Sequence, residues 1–248
     1  MNRRTGTRGA DVVPRSADLI GLANLERLGR ADAFNRWVYD RIQPWIGGRV
    51  LEVGAGIGNL SQFLVHSDRT VLAEPDPGHR AQLKRRFGHL PQVTIVELEL
   101  PNALPDLEGE RFDSVVCVNV LEHVEDDRAA LAAMRRFVRP GGGFLVLLVP
   151  ALRWLYGTLD RALGHYRRYT PGELGELFEA AHLRLRHLEY FNVAGIPGWW
   201  LVGRVLRREV IPSGSLALYD RMVPLFRMER FLPWRVGQSL VAIGEVPV

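Results

Sequence analysis

The chain has 248 residues, of which 47% are apolar and 24% charged, with a formal net charge of +4 and a pI near 9.6. That length suits one α/β domain with an embellishment, or at most two small domains, and it buries enough apolar surface to need no disulfide or metal for stability. The composition excludes a disordered, collagenous or coiled-coil protein, and the single cysteine, Cys117, excludes a disulfide framework.

Lys84 is the only lysine. The arginine excess reads first as the bias of a GC-rich genome and second as a surface for an anionic partner; a charge of +4 spread along the chain is no nucleic-acid signature. Residues 1–30 read as a flexible arm, and 1–16 have no apolar h-region, so no signal peptide is expected. No uncharged apolar stretch reaches about 18 residues, so a cytoplasmic protein that does not span a membrane is expected.

Taken in order, 31–46 has Phe34, Trp37, Val38 and Ile42 at helical spacing, and 49–53 is a short buried strand ending at glycines. A helix at 59–65, a strand at 70–73, a helix at 79–87 and a strand at 93–96 follow. Then come a strand at 112–118, an Ala-rich helix at 126–138, and a Gly-rich turn into a strand at 144–149. Residues 171–181 form a helix with Thr170 as N-cap, 183–191 a strand, and 239–246 a last strand. Strands alternating with helical patterns predict a doubly wound, mostly parallel, seven-stranded α/β sheet of Rossmann-like type. Residues 31–193 and 237–248 make up its core. The rhythm breaks at 194–236, a helical insert in which Trp199, Trp200, Phe226, Phe231 and Trp234 interleave with seven arginines, including Arg204, Arg207 and Arg208. Trp199, Val202, Leu206 and Val210 fall on one helical face.

The stretch Leu51-Glu-Val-Gly-Ala-Gly-Ile-Gly-Asn-Leu60 runs from a strand through Gly54, Gly56 and Gly58 into a helix. Glycine there permits a tight turn and close approach of a ligand. A dinucleotide fingerprint would need its third glycine at position 59, which is Asn59, and no Gly-Lys-Ser/Thr follows. Glu52 would repel a phosphate but tolerate a cation. Glu74, 20 residues after Gly54 at the end of the next strand, can accept hydrogen bonds from both ribose hydroxyls of an adenosine. These residues describe a site for a nucleoside without phosphate and with positive charge, which S-adenosylmethionine satisfies.

On these motifs the chain resembles the class I S-adenosylmethionine-dependent methyltransferases, from about Phe34 to Phe191 and again in the last strand. Glu52-x-Gly54-x-Gly56-x-Gly58 looks like the family's first motif, and Glu74 like its ribose acid. Glu99 matches the acidic position near the adenine, with a glutamate in place of the commoner aspartate; a solvated loop acid is the alternative. Val118-Asn-Val-Leu-Glu-His-Val124 resembles the segment after strand 4 in the ubiquinone-biosynthesis-type subgroup. The resemblance implies S-adenosylmethionine as cofactor, contacted by Glu52, Gly54, Ala55, Gly56, Gly58, Glu74, Pro75, Glu99, Leu100, Asn119 and Val120.

Methyl transfer needs the acceptor atom held behind the methyl group and water excluded; a hydroxyl acceptor also benefits from a base, most often histidine. His165 and Tyr169, in the connection after strand 5, are the leading candidates for acceptor contact or base, with His123 third. The bland alternative for His165 is a cap or a carboxylate pair. Arg167 and Arg168 either hold an anionic group of the acceptor or form salt bridges to Glu173 or Asp160. Tyr39, Arg168 and Trp199 are candidate acceptor contacts, Tyr39 as a lid. No His, Asp or Glu cluster has metal-ligand spacing along the sequence, so a reaction without metal is expected.

Asn119-Val-Leu-Glu122 stands where amino-group methylases of nucleic acid carry Asn/Asp-Pro-Pro-aromatic. A small, partly apolar metabolite is therefore the expected acceptor, through oxygen, nitrogen or carbon, with no nucleic-acid partner. The insert reads as a lid or dimer contact, as an acceptor wall, or as an interfacial helix touching a membrane; the chain is expected to be a monomer or homodimer. The competing readings are a non-catalytic S-adenosylmethionine-binding regulator and a nicotinamide oxidoreductase, the latter disfavoured by Asn59 and Glu52.

Overall fold

The computed structural model describes residues 26, 27, 29–102, 107–231 and 235–247. Most of the arm at 1–30, and Trp234, lie outside the described residues.

Seven strands form one sheet: β1 (Arg49–Val53), β2 (Arg69–Ala73), β3 (Val93–Val96), β4 (Ser114–Val118), β5 (Phe144–Pro150), β6 (Arg184–Phe191) and β7 (Ser239–Glu245). Their order is β3-β2-β1-β4-β5-β7-β6. The first five strands run parallel, and β7 runs antiparallel to both β5 and β6. The strand order reverses between β1 and β4, so a ligand crevice is expected beyond their carboxyl ends. Central strands of this kind are covered on both faces and read as continuous apolar runs. Side-chain alternation sorts each run: Leu51, Val115, Cys117, Leu145, Leu147 and Leu240 join the core on one face. Val50, Val116, Val146, Leu148 and Val241 join Trp37, Ile42 and Phe191 on the other.

Helix α1 (Asp32–Ile42) packs Trp37 on Phe191, ring centroids 4.6 Å apart. It stops short of the expected 46 because Pro44 has no N–H and its ring obstructs the preceding turn, and a 3-10 turn, Gln43–Trp45, takes over. Helix α2 (Ser61–Leu64) is short. Helix α3 (Pro77–Phe87) starts at Pro77 with Asp76 accepting the His79 amide at 2.7 Å. Helix α4 (Asp127–Arg135) ends before the expected 138 because Val138 is drawn into a bridge with Phe112, which for the same reason does not open β4. A 3-10 turn, Arg153–Leu155, and helix α5 (Thr158–Ala162) follow β5. Helix α6 (Pro171–Ala180) carries the expected Thr170 cap, reciprocated by Glu173.

After β6 come α7 (Gly195–Trp200), a π-helical turn (Leu201–Val205), α8 (Ser213–Phe226) and a 3-10 turn (Arg227–Phe231). The single apolar face expected through Trp199, Val202, Leu206 and Val210 does not form. The helix ends at the π turn and Arg207 adopts φ +50°, so Val210 lies outside it. Tyr219, Val223 and Phe226 dock α8 on α1, and Asp220 Oδ1 accepts the Phe34 amide at 2.8 Å, satisfying an orphan donor at the α1 N-terminus. Glu229 likewise accepts the Asn192 and Val193 amides at 2.9 and 2.8 Å.

Candidate functional site

The glycine loop leaves β1 with φ of +75° at Gly54, +55° at Gly56 and +88° at Gly58. The Gly54 and Ala55 amides donate to the Ala73 carbonyl at 2.8 and 3.1 Å, fastening the loop to the end of β2. A Cβ on Gly54 would lie 2.3 Å from Val120 Cγ2, so the cradle exists only with glycine there.

Glu74 caps this cradle from β2. Its carboxylate is buried and accepts the Gly56 amide at 2.8 Å, the Asp76 amide at 3.1 Å and His79 Nδ1 at 3.2 Å. The hydrogen bond to Glu74 holds the His79 pKa above its usual value. Nothing in the apolar pattern marks His79, but its position five residues after Glu74, at the start of a capped helix, places it to orient this carboxylate.

Glu52 lies behind the loop, 4% exposed, and accepts Ser61 Oγ at 2.5 Å. Burial pushes its pKa up to about 8, against the lowering effect of the Ser61 hydrogen bond. Val120 leans over Gly54, and Asn119, at φ +54°, donates its amide to the Leu148 carbonyl at 2.8 Å. Glu99 is exposed and Leu100 half-buried, just beyond β3. Pro75 follows Glu74 at the surface. Tyr39 stacks on Phe63, ring centroids 5.1 Å apart.

The second cluster gathers on Asp160, fully buried on α5. Its Oδ1 accepts His165 Nδ1 at 3.0 Å and Arg168 Nε at 2.8 Å. Its Oδ2 accepts the Gly157 amide at 2.9 Å and Trp199 Nε1 at 3.1 Å. Burial alone would raise the Asp160 pKa, but the His165 hydrogen bond, the Arg168 charge and the Gly157 amide outweigh it and hold the carboxyl below its usual range. An ionised Asp160 fixes the proton of neutral His165 on Nδ1 and leaves Nε2 as the acceptor. Arg168 also donates to the Ala151 carbonyl at 2.8 Å and lies over the Trp199 ring, 5.0 Å from its centroid. Of the two sequence alternatives for Arg168, the salt bridge to Asp160 is the one that forms; Arg167 pairs instead with Asp127 at 2.7 Å.

His165 Nε2 points toward the turn after β4. Glu122 Oε1 is 4.0 Å away and the His123 ring meets His165 edge-on at 4.7 Å. Glu122 is buried, its Oε2 has no hydrogen-bond partner, and burial raises its pKa to about 7. His123 is open to solvent on one side, yet crowding of the ring, with His165 beside it, lowers its pKa to about 4. Tyr169 is buried and donates its hydroxyl to Asp127 at 3.1 Å; burial and the Asp127 charge raise its pKa strongly, so it stays protonated. The structure thus unites His165, Arg168 and Trp199 around Asp160, with His123 alongside.

Glu122, His123 and His165 also bring one potential ligand atom each to within 4.8 Å of one another. The expectation that no metal-ligand cluster exists rested on linear spacing. The fold closes the 41 residues between His123 and His165, so these three side chains could hold a divalent cation.

Comparison with known proteins agrees with this geometry. Residues 51–144 match the family model of the methyltransferase domain. The chain is 30% identical over 173 residues to a ubiquinone biosynthesis O-methyltransferase of Paracidovorax citrulli, covering 62% of this chain and 71% of that protein. It is 25% identical over 186 residues to the enzyme of the same name from Aeromonas salmonicida, covering 68% and 76%. A solved S-adenosylmethionine-dependent methyltransferase from Mesorhizobium loti superposes with a TM-score of 0.59 at 14% identity, over 85% of this chain and 97% of that one. A putative methyltransferase from Bacillus halodurans superposes with a TM-score of 0.58 at 16% identity, over 85% and 99%; these two likenesses concern the fold. With a glycine cradle at the carboxyl end of β1, a buried acid at the end of β2 and these relatives, the chain belongs to the class I S-adenosylmethionine-dependent methyltransferases.

Proposed function

We propose that the enzyme methylates a hydroxyl group of a small, partly apolar acceptor, with His165 as the general base. The observation that carries this reading is the His165 Nδ1 to Asp160 Oδ1 hydrogen bond of 3.0 Å, which aims Nε2 at the turn after β4. A base oriented by a buried carboxylate is the arrangement that proton removal from a weakly acidic hydroxyl requires. The O-methyltransferase names of the Paracidovorax and Aeromonas relatives favour oxygen as the accepting atom.

S-adenosylmethionine fits the residues at the cradle, since a Cβ would fill it at Gly54 and Glu74 presents a buried carboxylate beside it. Glu52, Gly54, Ala55, Gly56, Gly58, Glu74, Pro75, Leu100, Asn119 and Val120 would hold the cofactor, with Glu99 toward its adenine. When bound, it supplies an electrophilic methyl group on a sulfonium. Asp160 keeps the His165 proton on Nδ1, and Nε2 takes the hydroxyl proton. Arg168 and Trp199 brace Asp160, while Tyr169, paired with Asp127, holds the segment that carries Arg168. His123, neutral at physiological pH, lies beside His165, and Tyr39 on α1 would cover the bound cofactor.

The same reading makes 31–193 and 237–248 the catalytic core and 194–236 an appended insert. Acceptor recognition belongs to a small molecule rather than nucleic acid, and the enzyme works in the cytoplasm as a monomer or homodimer. No helix among the described residues is long and apolar enough to cross a membrane.

His165→Ala tests the proposal with a panel of phenols and catechols as acceptor probes. S-adenosylhomocysteine affinity should stay at the wild-type value while kcat falls by about two to four orders of magnitude; unchanged turnover removes His165 from the mechanism. A second reading rests on the unpartnered Glu122 Oε2: a divalent cation on Glu122, His123 and His165 would bind the acceptor oxygen in place of base catalysis. Turnover abolished by EDTA and restored by Mg2+, Mn2+ or Zn2+ selects it; turnover indifferent to EDTA excludes it.

A further inference from the structure

Between α5 and the π-helical turn lies a pocket of about 470 Å3 that the reaction described above leaves unused. Its lining includes Thr158, Arg161, Trp200, Arg204, Val205 and Arg207, and no carboxylate among the described residues. Elsewhere on the surface, arginines such as Arg69 and Arg139 find acidic partners at 2.7 and 3.0 Å. Among the described residues, Arg161, Arg204 and Arg207 form no ion pair at all. The nearest acid in sequence, Asp160, is turned inward and occupied by His165, Arg168 and Trp199.

The walls are firmly held. Thr158 Oγ1 lies 2.9 and 2.7 Å from the Gly203 and Arg208 carbonyl oxygens, which pins the turn to α5. A Cβ on Gly157 would sit 2.7 Å from the Gly203 oxygen, so the two backbones meet closely here. Arg204 Nη1 is anchored on the Tyr156 carbonyl at 3.0 Å. Arg207 is held at φ +50°, a conformation unfavourable for a residue with a side chain. Three unpaired guanidinium groups at one rigid pocket suit an anion, and phosphate above all, because their forked donors match its oxygens. Beside them Trp200 and Val205 are 47% and 49% exposed, an apolar wall that a bare inorganic ion would leave unused.

We propose that this pocket binds the phosphate of an ester carried on an apolar chain, and so anchors the acceptor next to the methyl-transfer site. Asp160 and Arg161 are neighbours on α5, and Trp199 and Trp200 on α7, so the pocket and the His165 dyad share a wall. The assignment rests on the acceptor side being where the preceding section puts it, but it is tested by binding alone and stands apart from any turnover result.

Calorimetry would compare farnesyl phosphate, farnesol and inorganic phosphate on wild type and on the Arg161→Gln/Arg207→Gln double variant, with S-adenosylhomocysteine binding as the control for folding. Farnesyl phosphate should bind saturably, farnesol at least about tenfold more weakly, and the double variant about a hundredfold more weakly, its S-adenosylhomocysteine affinity unchanged. Competition of phosphatidylglycerol-containing vesicles, but not pure phosphatidylcholine vesicles, with farnesyl phosphate would assign the phosphate to a bilayer lipid. Absence of competition would assign it to a free amphiphile. Equal binding of farnesol and farnesyl phosphate, wild-type affinity in the double variant, or no saturable binding of the ester overturns the proposal.

Discussion

Replacing Glu52 by glutamine should stabilise the unliganded protein, and should do so only at higher pH. The carboxyl is enclosed behind the glycine loop, and its pKa rises from the 4.5 of an unfolded chain to about 8 in the fold. A raised carboxyl pKa means that the folded state binds more protons than the unfolded state between those two values, so stability falls as pH rises through the window. Below about pH 4.5 the penalty vanishes; above pH 8 it is complete and reaches at most about 5 kcal/mol at 1.36 kcal/mol per pH unit. Glutamine has nearly the same shape and keeps an acceptor for Ser61 Oγ, but it carries no charge to desolvate. Urea denaturation of both proteins, unliganded, at pH 5 and pH 8.5 provides the assay. The variant should match wild type within about 1 kcal/mol at pH 5 and exceed it by several kcal/mol at pH 8.5, with an unchanged m-value. Comparing the two proteins at each pH cancels the parallel contribution of Glu122, which both retain. A stability difference independent of pH would refute the argument, because it would mean that Glu52 is ionised in the fold across the whole range.

Asp160→Asn should lower stability by about 3–5 kcal/mol, because Arg168 is then left as a buried charge without its partner. It should also reduce turnover at least about hundredfold by freeing the His165 tautomer; denaturation and steady-state kinetics on one preparation check both. Gly54→Ala should cost about 2–4 kcal/mol from the Val120 contact and the left-handed backbone, and should abolish S-adenosylhomocysteine binding detectable by calorimetry.

The sheet was readable in advance because its strands are short β-branched runs punctuated by glycine, proline or a cap. Thr170, Pro171 and Glu173 announce α6, and the glycines after Val53 announce the cradle. Element ends were misplaced where a distant partner competes with local periodicity, as when Phe112 and Val138 pair with each other rather than extend their own elements. Asp160 was weighed only as one salt-bridge partner for Arg168. It sits on a five-residue helix too short to show periodicity, and nothing local reveals that His165, Arg168 and Trp199 converge on it. The trio of Glu122, His123 and His165 was invisible for a related reason: β5 and the connection after it close the gap, and that closure is a property of the sheet topology. The insert was legible as a change of composition, but the π-helical turn and the left-handed Arg207, which decide which of its side chains face solvent, leave no mark in an apolar periodicity.

Titration of S-adenosylhomocysteine into wild type and Glu74→Ala by calorimetry puts the cofactor cradle to the most direct test. Among the described residues, Glu74 is the carboxylate that joins the glycine loop to the start of α3. We expect micromolar affinity in the wild type and a loss of at least about a hundredfold in the variant, the value of two hydrogen bonds to a charged acceptor. Equal affinity in both proteins, or tighter binding of NAD than of S-adenosylhomocysteine, would contradict the assignment of this crevice.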